Sequence, residues 1–157
     1  MKNLLKKTLF TILLLSLSLI STSCSVDKNK NLDKVEKEMK NVVTFEHMKK
    51  GNSKDIRRFY NLNIHDYDEI ILYKPTSTMD VSEVLMVKVK DKSQIENVED
   101  SIDSRINYQL NNFASYGPKQ CDLVNNYELK VKGNFVFFAI SQNAEEIKNA
   151  FLDSIRN

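Results

Sequence analysis

The stretch Tyr127-Glu-Leu-Lys-Val-Lys-Gly-Asn-Phe-Val-Phe-Phe-Ala-Ile-Ser141 decides the fold. Its first half alternates polar and apolar residues, which predicts a strand from Tyr127 to Lys132. Gly133-Asn134 then makes a two-residue loop, and glycine in its first position suits a type II′ hairpin turn. The second half, Phe135 to Ser141, is apolar on both faces. Such a strand belongs in the middle of a sheet, covered by helices.

Working outward, a second strand pair precedes this hairpin. Glu69 to Lys74 reads E-I-I-L-Y-K and is closed by Pro75, while Glu83 to Lys90 reads E-V-L-M-V-K-V-K. In the latter, Leu85, Val87 and Val89 share one face, and Met86, Lys88 and Lys90 share the other. The polar segment between the two strands predicts a loop. Between the strand pairs lies the clearest helix, Ser93 to Phe113. Ser93 and Glu96 form a capping-box pattern. Ile95, Val98, Ile102, Ile106, Leu110 and Phe113 make an apolar stripe at spacings of three and four. Tyr116-Gly117-Pro118 ends it, since glycine tolerates a left-handed cap and proline blocks continuation.

Shorter helices complete the chain. Asp33 to Lys49 carries Val35, Met39, Val42 or Val43, and Phe45 at helical spacing and stops at Gly51. Ser53 can cap a helix through Tyr60, and Lys119 to Asn126 predicts another that places Cys121 and Val124 on one side. A last helix, Asn143 to Ile155, buries Ile147, Phe151 and Ile155. The expected fold is one α+β domain with a four-stranded, mainly antiparallel sheet. Its long and last helices pack on one sheet face.

The first residues carry an address. Lys2, Lys6 and Lys7 precede an uncharged run from Thr8 to Ile20, and Ser21-Thr22-Ser23 stands directly before Cys24. This is the layout of a secretory signal peptide over residues 1–23, and the cysteine after small residues points to lipid attachment at Cys24. The run is shorter than the ~20 residues a transmembrane helix needs. Ser21 stands where the usual lipobox has leucine, so simple secretion is the alternative. Two acyl chains would hold the protein stably on the outer face of the cytoplasmic membrane. Residues 24–32 are polar and read as a flexible tether, with a single domain over 33–157.

Removing residues 1–23, which hold three lysines and no acids, turns the formal charge of +2 into −1 for the remaining 134 residues. No basic stripe remains to argue for nucleic acid. With Cys24 acylated, Cys121 stands alone and no intramolecular disulfide forms.

Candidate chemistry is sparse. His65-Asp66-Tyr67-Asp68-Glu69 lacks the alternating oxygens and glycine of a calcium loop, so no metal site is expected. Cys121 reads as an inert, packed thiol, since no sequence signature pairs it with a histidine. The chain contains no nucleophile elbow, zinc-protease helix, phosphate loop or dinucleotide fingerprint, and no cofactor is expected. Arg105 borders the apolar stripe and is expected to pair with an acid of the first strand pair or, alternatively, to bind an anion. Tyr116 and Gln120 flank the Gly-Pro corner and offer an exposed recognition edge.

Taken in order, Tyr73-Lys-Pro-x-Ser77-x-Met79, Glu83, Val87-Lys-Val-Lys-Asp91, Arg105, Phe113-x-x-Tyr116-Gly-Pro-x-Gln120 and Val131-Lys-Gly-Asn-Phe-Val136 resemble a family of small Gram-positive lipoproteins defined by a domain of unknown function. The resemblance spans about residues 30–155 and implies an extracytoplasmic α+β domain with no assigned catalytic residues. The expectation for function is a membrane-anchored, non-catalytic accessory module that binds an envelope protein or polymer through a surface including Arg105, Tyr116 and Gln120. An envelope enzyme (a hydrolase or transferase partner) and a small-ligand carrier are the alternatives.

Overall fold

The computed structural model describes residues 26–156. The signal segment and Cys24 lie outside the described residues. Five strands form one open antiparallel sheet: β1 (Met48–Lys50), β2 (Glu69–Pro75), β3 (Glu83–Lys88), β4 (Glu128–Lys132) and β5 (Phe135–Ile140), in the order β1-β2-β3-β5-β4. Both expected strand pairs are present. The hairpin register sets Val131 opposite Val136 and Lys132 opposite Phe135. Gly133 has φ +66°, the sign that a type II′ turn requires at its first position.

The sheet has one strand more than the sequence reading allowed. The helix expected over Asp33–Lys49 stops early, as α1 (Leu32–Met39). A run of Val42, Val43 and Thr44 follows, and β-branched side chains are stiff and crowded in a helix. The chain instead turns through His47, at φ +59°, and adds Met48–Lys50 to the sheet edge opposite Pro75–Tyr73. The described part of the expected tether also belongs to the fold. Val26 pairs with Arg156, and Leu32 is fully buried.

Helices cover both faces of the sheet rather than one. On the first face, Leu72, Leu85, Val87, Val136 and Phe138 pack against α2 (Ser53–Tyr60), α3 (Ile95–Phe113) and α4 (Pro118–Asn125). The whole expected α3 stripe lies in this core. On the second face, Val84, Met86, Phe135, Phe137 and Ala139 pack against α1 and α5 (Ala144–Ser154). Phe137 stacks on Phe151 with ring centroids 4.9 Å apart. Periodicity says which side of a helix is buried but not which side of the sheet receives it. The composition of β5 decides the matter, because every one of its residues is buried, as in β3 beside it. Two apolar faces need two covers. At about 1.5–3 kcal/mol for each large side chain, leaving Phe135 and Phe137 in water would be prohibitive.

Cap details shift slightly. The capping box before α3 is Asp91 with Gln94, on a short 3-10 turn at Lys92–Gln94, rather than Ser93 with Glu96. The box of α2 is Asn52 with Asp55, with Ser53 as its first helical residue. Asn143 precedes α5 without a side-chain cap bond. Gly117 is not left-handed. A Cβ there would lie 2.6 Å from Phe113 Cδ1, so glycine is required by close approach. Pro118 opens α4 at a position where its missing N–H costs nothing. Among the described residues, no helix is long and apolar enough to cross a membrane.

Candidate functional site

An open cleft of about 720 Å³ runs between α2, α3 and the β2–β3 loop. Its position follows from the sheet. Lys74 and Glu83 fall on the same side of their strands as Leu72 and Leu85, so both face α2 and α3. Beyond the last apolar turns of these helices, polar residues meet across the sheet end.

At the base of the cleft, Arg105 of α3 reaches Glu83 of β3. Arg105 Nε donates to Glu83 Oε1 at 2.9 Å and Nη2 to Oε2 at 2.7 Å. Glu83 is fully buried and Arg105 is 6% exposed. Burial pushes the Glu83 carboxyl above its ordinary range, and the arginine offsets this only in part. Burial also works against the Arg105 charge, but its bonds to Glu83 outweigh that and raise its pKa. The guanidinium is held on a second plane as well. Its carbon lies 4.2 Å from the Phe59 ring centroid and 5.6 Å from that of Tyr108. The ion pair expected for Arg105 is therefore present, and it fixes the side chain in one orientation.

Two further residues complete the floor. Tyr60 is 2% exposed, and its hydroxyl lies beside the Glu83 carboxylate and Arg105, near enough to interact but without a well-formed hydrogen bond among the described residues. Burial, and then the Glu83 charge, push its pKa well up, so the phenol stays protonated. Gln109, one turn on from Arg105 along α3, is 4% exposed and lines the cleft. The walls carry Lys49, Arg58, Lys74, Asp80 and Asp100, and Tyr108 and Tyr116 stand 58% and 60% exposed at the rim. Lys74 is already committed to Asp55 at 2.5 Å.

The structure brings together two of the three residues expected from sequence and ties in the third. Arg105 lies on the floor and Tyr116 on the rim. Gln120 is not in the cleft wall, but its Nε2 donates to the Met79 carbonyl at 3.1 Å and so pins the loop that forms one side. Sequence reasoning missed Glu83 as the particular partner, although its alternation with Leu85 and Val87 directs it inward. It also missed Tyr60, Gln109 and Tyr108. For Gln109 the available signal was its spacing of four from Arg105 on the border of the stripe.

The other candidates fall elsewhere. His65 is exposed on a short 3-10 turn, Ile64–Asp66. Among the described residues, no group of three or more His, Cys, Asp or Glu gathers to hold a metal. Cys121 packs half-buried against the first-face core, with its Sγ 3.9 Å from the Leu110 carbonyl.

No curated protein and no solved structure matches the chain. A family model described as Domain of unknown function (DUF4358) does match, over residues 41–141. That span takes in all five strands and every residue that lines the cleft. The chain belongs to the DUF4358 domain family.

Proposed function

We propose that this protein is a lipoprotein held by Cys24 on the outer face of the cytoplasmic membrane, where it serves as a non-catalytic binding module of the cell envelope. Its ligand, an envelope polymer or protein segment, occupies the α2–α3 cleft. The observation that carries the reading is the cleft itself. It is concave, falls within the ~300–1,000 Å³ of ligand sites, and combines aromatic walls with converging polar groups. The layout of residues 1–24 supports the location.

An envelope enzyme is the second reading, favoured by one feature. Glu83 is a carboxyl pushed up by burial beside a tyrosine and an arginine, the kind of group found in active sites. Both of its oxygens are engaged by Arg105, however, and it is fully buried. A general acid must reach the substrate. Binding is the better account.

Two variants test the reading in intact host cells. Incorporation of labelled palmitate should vanish in Cys24→Ala; unchanged membrane retention in that variant would replace the lipid anchor with a retained helix. Ser104 is exposed on the cleft wall, so Ser104→Trp should fill the cleft without touching the core. Crosslinking should recover an envelope polymer or protein with the wild type and not with Ser104→Trp. Equal recovery from both would remove the cleft from the function.

A further inference from the structure

The floor of the cleft presents three hydrogen-bonding groups that make no well-formed hydrogen bond among the described residues, one of them fully buried. The Tyr60 hydroxyl is one. The Gln109 amide, on a residue 4% exposed, is the second, since none of its atoms enters a hydrogen bond there. The third is Arg105 Nη1, because the bonds to Glu83 use only Nε and Nη2. Buried polar groups are nearly always satisfied, and the Gln109 amide and Arg105 Nη1 reach the open cleft, where a ligand can meet them. Their convergence on one concavity makes it a place where a ligand can bond to the protein.

The charge around them says which kind. Arg105 is matched by Glu83 and Lys74 by Asp55. The remaining cations on the walls, Lys49 and Arg58, are balanced in number by Asp80 and Asp100. The cleft therefore has no net charge to draw in a polyanion, and Arg105 acts as a fixed donor pair. Gln109 presents a donor and an acceptor side by side, which is the complement of an amide's C=O and N–H. Tyr108 and Tyr116 offer exposed rings, apolar in face and polar at the tip. The β2–β3 loop adds the hydroxyl residues Thr76, Ser77 and Thr78.

We infer that the cleft binds an uncharged, N-acylated sugar unit of an envelope glycan, an assignment that rests on the binding-module reading above. The acyl-amide group lies on Gln109, with its carbonyl oxygen accepting from Arg105 Nη1, and the sugar ring stacks on the rim tyrosines. A peptide would also satisfy Gln109, but it lacks the repeated hydroxyls that suit the loop wall.

The test is calorimetric titration of the full chain in detergent micelles with the tetramer of N-acetylglucosamine. Binding is expected, with a Kd that changes less than about twofold between low and high salt, because no net charge is screened. Gln109→Met keeps the shape of the side chain and removes its hydrogen bonds. It should weaken binding about tenfold while the melting midpoint changes little, since the amide makes no hydrogen bond within the described residues. The pair Tyr108→Ala and Tyr116→Ala should weaken it at least as much.

Equal or tighter binding of the deacetylated tetramer, of inorganic phosphate or of a short alanyl peptide would overturn the assignment. So would a Gln109→Met variant that binds as wild type. If Ser104→Trp abolishes crosslinking in cells but the tetramer does not bind, the sugar assignment fails and the binding-module reading stands. If Ser104→Trp leaves crosslinking intact, both readings fall.

Discussion

Each face of the sheet buries a glutamate beside a tyrosine and a cation, and the two clusters are completed differently. On the second face, Glu36 of α1 accepts from Lys40 at 2.7 Å, from Lys50 at 2.6 Å and from the Tyr73 hydroxyl. Burial, the largest single influence, pushes this carboxyl up, yet the three bonds together hold it down at about 2. On the first face, Glu83 has one cation, its pKa is raised, and the neighbouring Tyr60 hydroxyl lacks a well-formed hydrogen bond among the described residues. A closed structural cluster satisfies its own groups. The Glu83 cluster leaves donors facing a cleft, and that incompleteness is what distinguishes a site from a staple.

The comparison can be broken most severely in the core beneath each cluster. Ile102 on the cleft face and Ile147 on the closed face are both fully buried. Aspartate at either position should cost about 4 kcal/mol or more, enough to unfold the domain in a denaturant melt. Tolerance of Ile102→Asp would mean that the cleft face has no real core.

Glu83→Gln comes next. It leaves Arg105 charged and buried without its counterion, for an expected loss of about 3–5 kcal/mol. The double variant Glu83→Met with Arg105→Met should recover most of that stability in the same melt, because an apolar pair can replace a buried ion pair. Failure to recover would show the pair to be indispensable to packing. Glu36→Gln should cost less, about 1–2 kcal/mol. Its partners Lys40 and Lys50 have side chains half exposed, at 49% and 50%, and return easily to water.

The smallest effect separates the clusters by sign. A depressed carboxyl such as Glu36 stabilises the fold fully above its unfolded value near 4.5, and that contribution is lost as pH falls toward about 2. Glu83, with a raised pKa, binds its proton more readily folded than unfolded, so it pulls stability down as pH rises past 4.5. Melting midpoints measured from pH 6 to 2 should therefore fall less steeply in Glu36→Gln than in the wild type. In Glu83→Gln the fall should be steeper, measured relative to each variant's own midpoint at pH 6.

Much of this was legible in the residues. The α3 stripe and the Gly133-Asn134 hairpin rest on local periodicity and turn chemistry, which sequence displays directly. The Arg105 ion pair was also foreseeable, since a charge bordering an apolar stripe must find company. The fifth strand was not, because Met48–Lys50 is three residues long, too short for an alternation to register. Its pairing is set by a partner 25 positions away. The placement of α5 on the opposite face from α3 depended on weighing β5 above the helices. Tyr60 and Gln109 escaped notice for a different reason. A tyrosine or glutamine on a helix says nothing about whether its polar end is satisfied, which is decided only when α2, α3 and β3 are assembled.

Val26 pairs with Arg156, and the Asp27 amide donates to the Ile155 carbonyl at 3.0 Å, so the two ends of the described domain lie side by side. Joining them by a short linker would make the described domain circular without unpairing the sheet. New ends opened between Ser77 and Met79, in an exposed loop, would give a permuted protein with both core layers intact. The cleft would then be flanked by its own termini, held on one side only by the reach of Gln120.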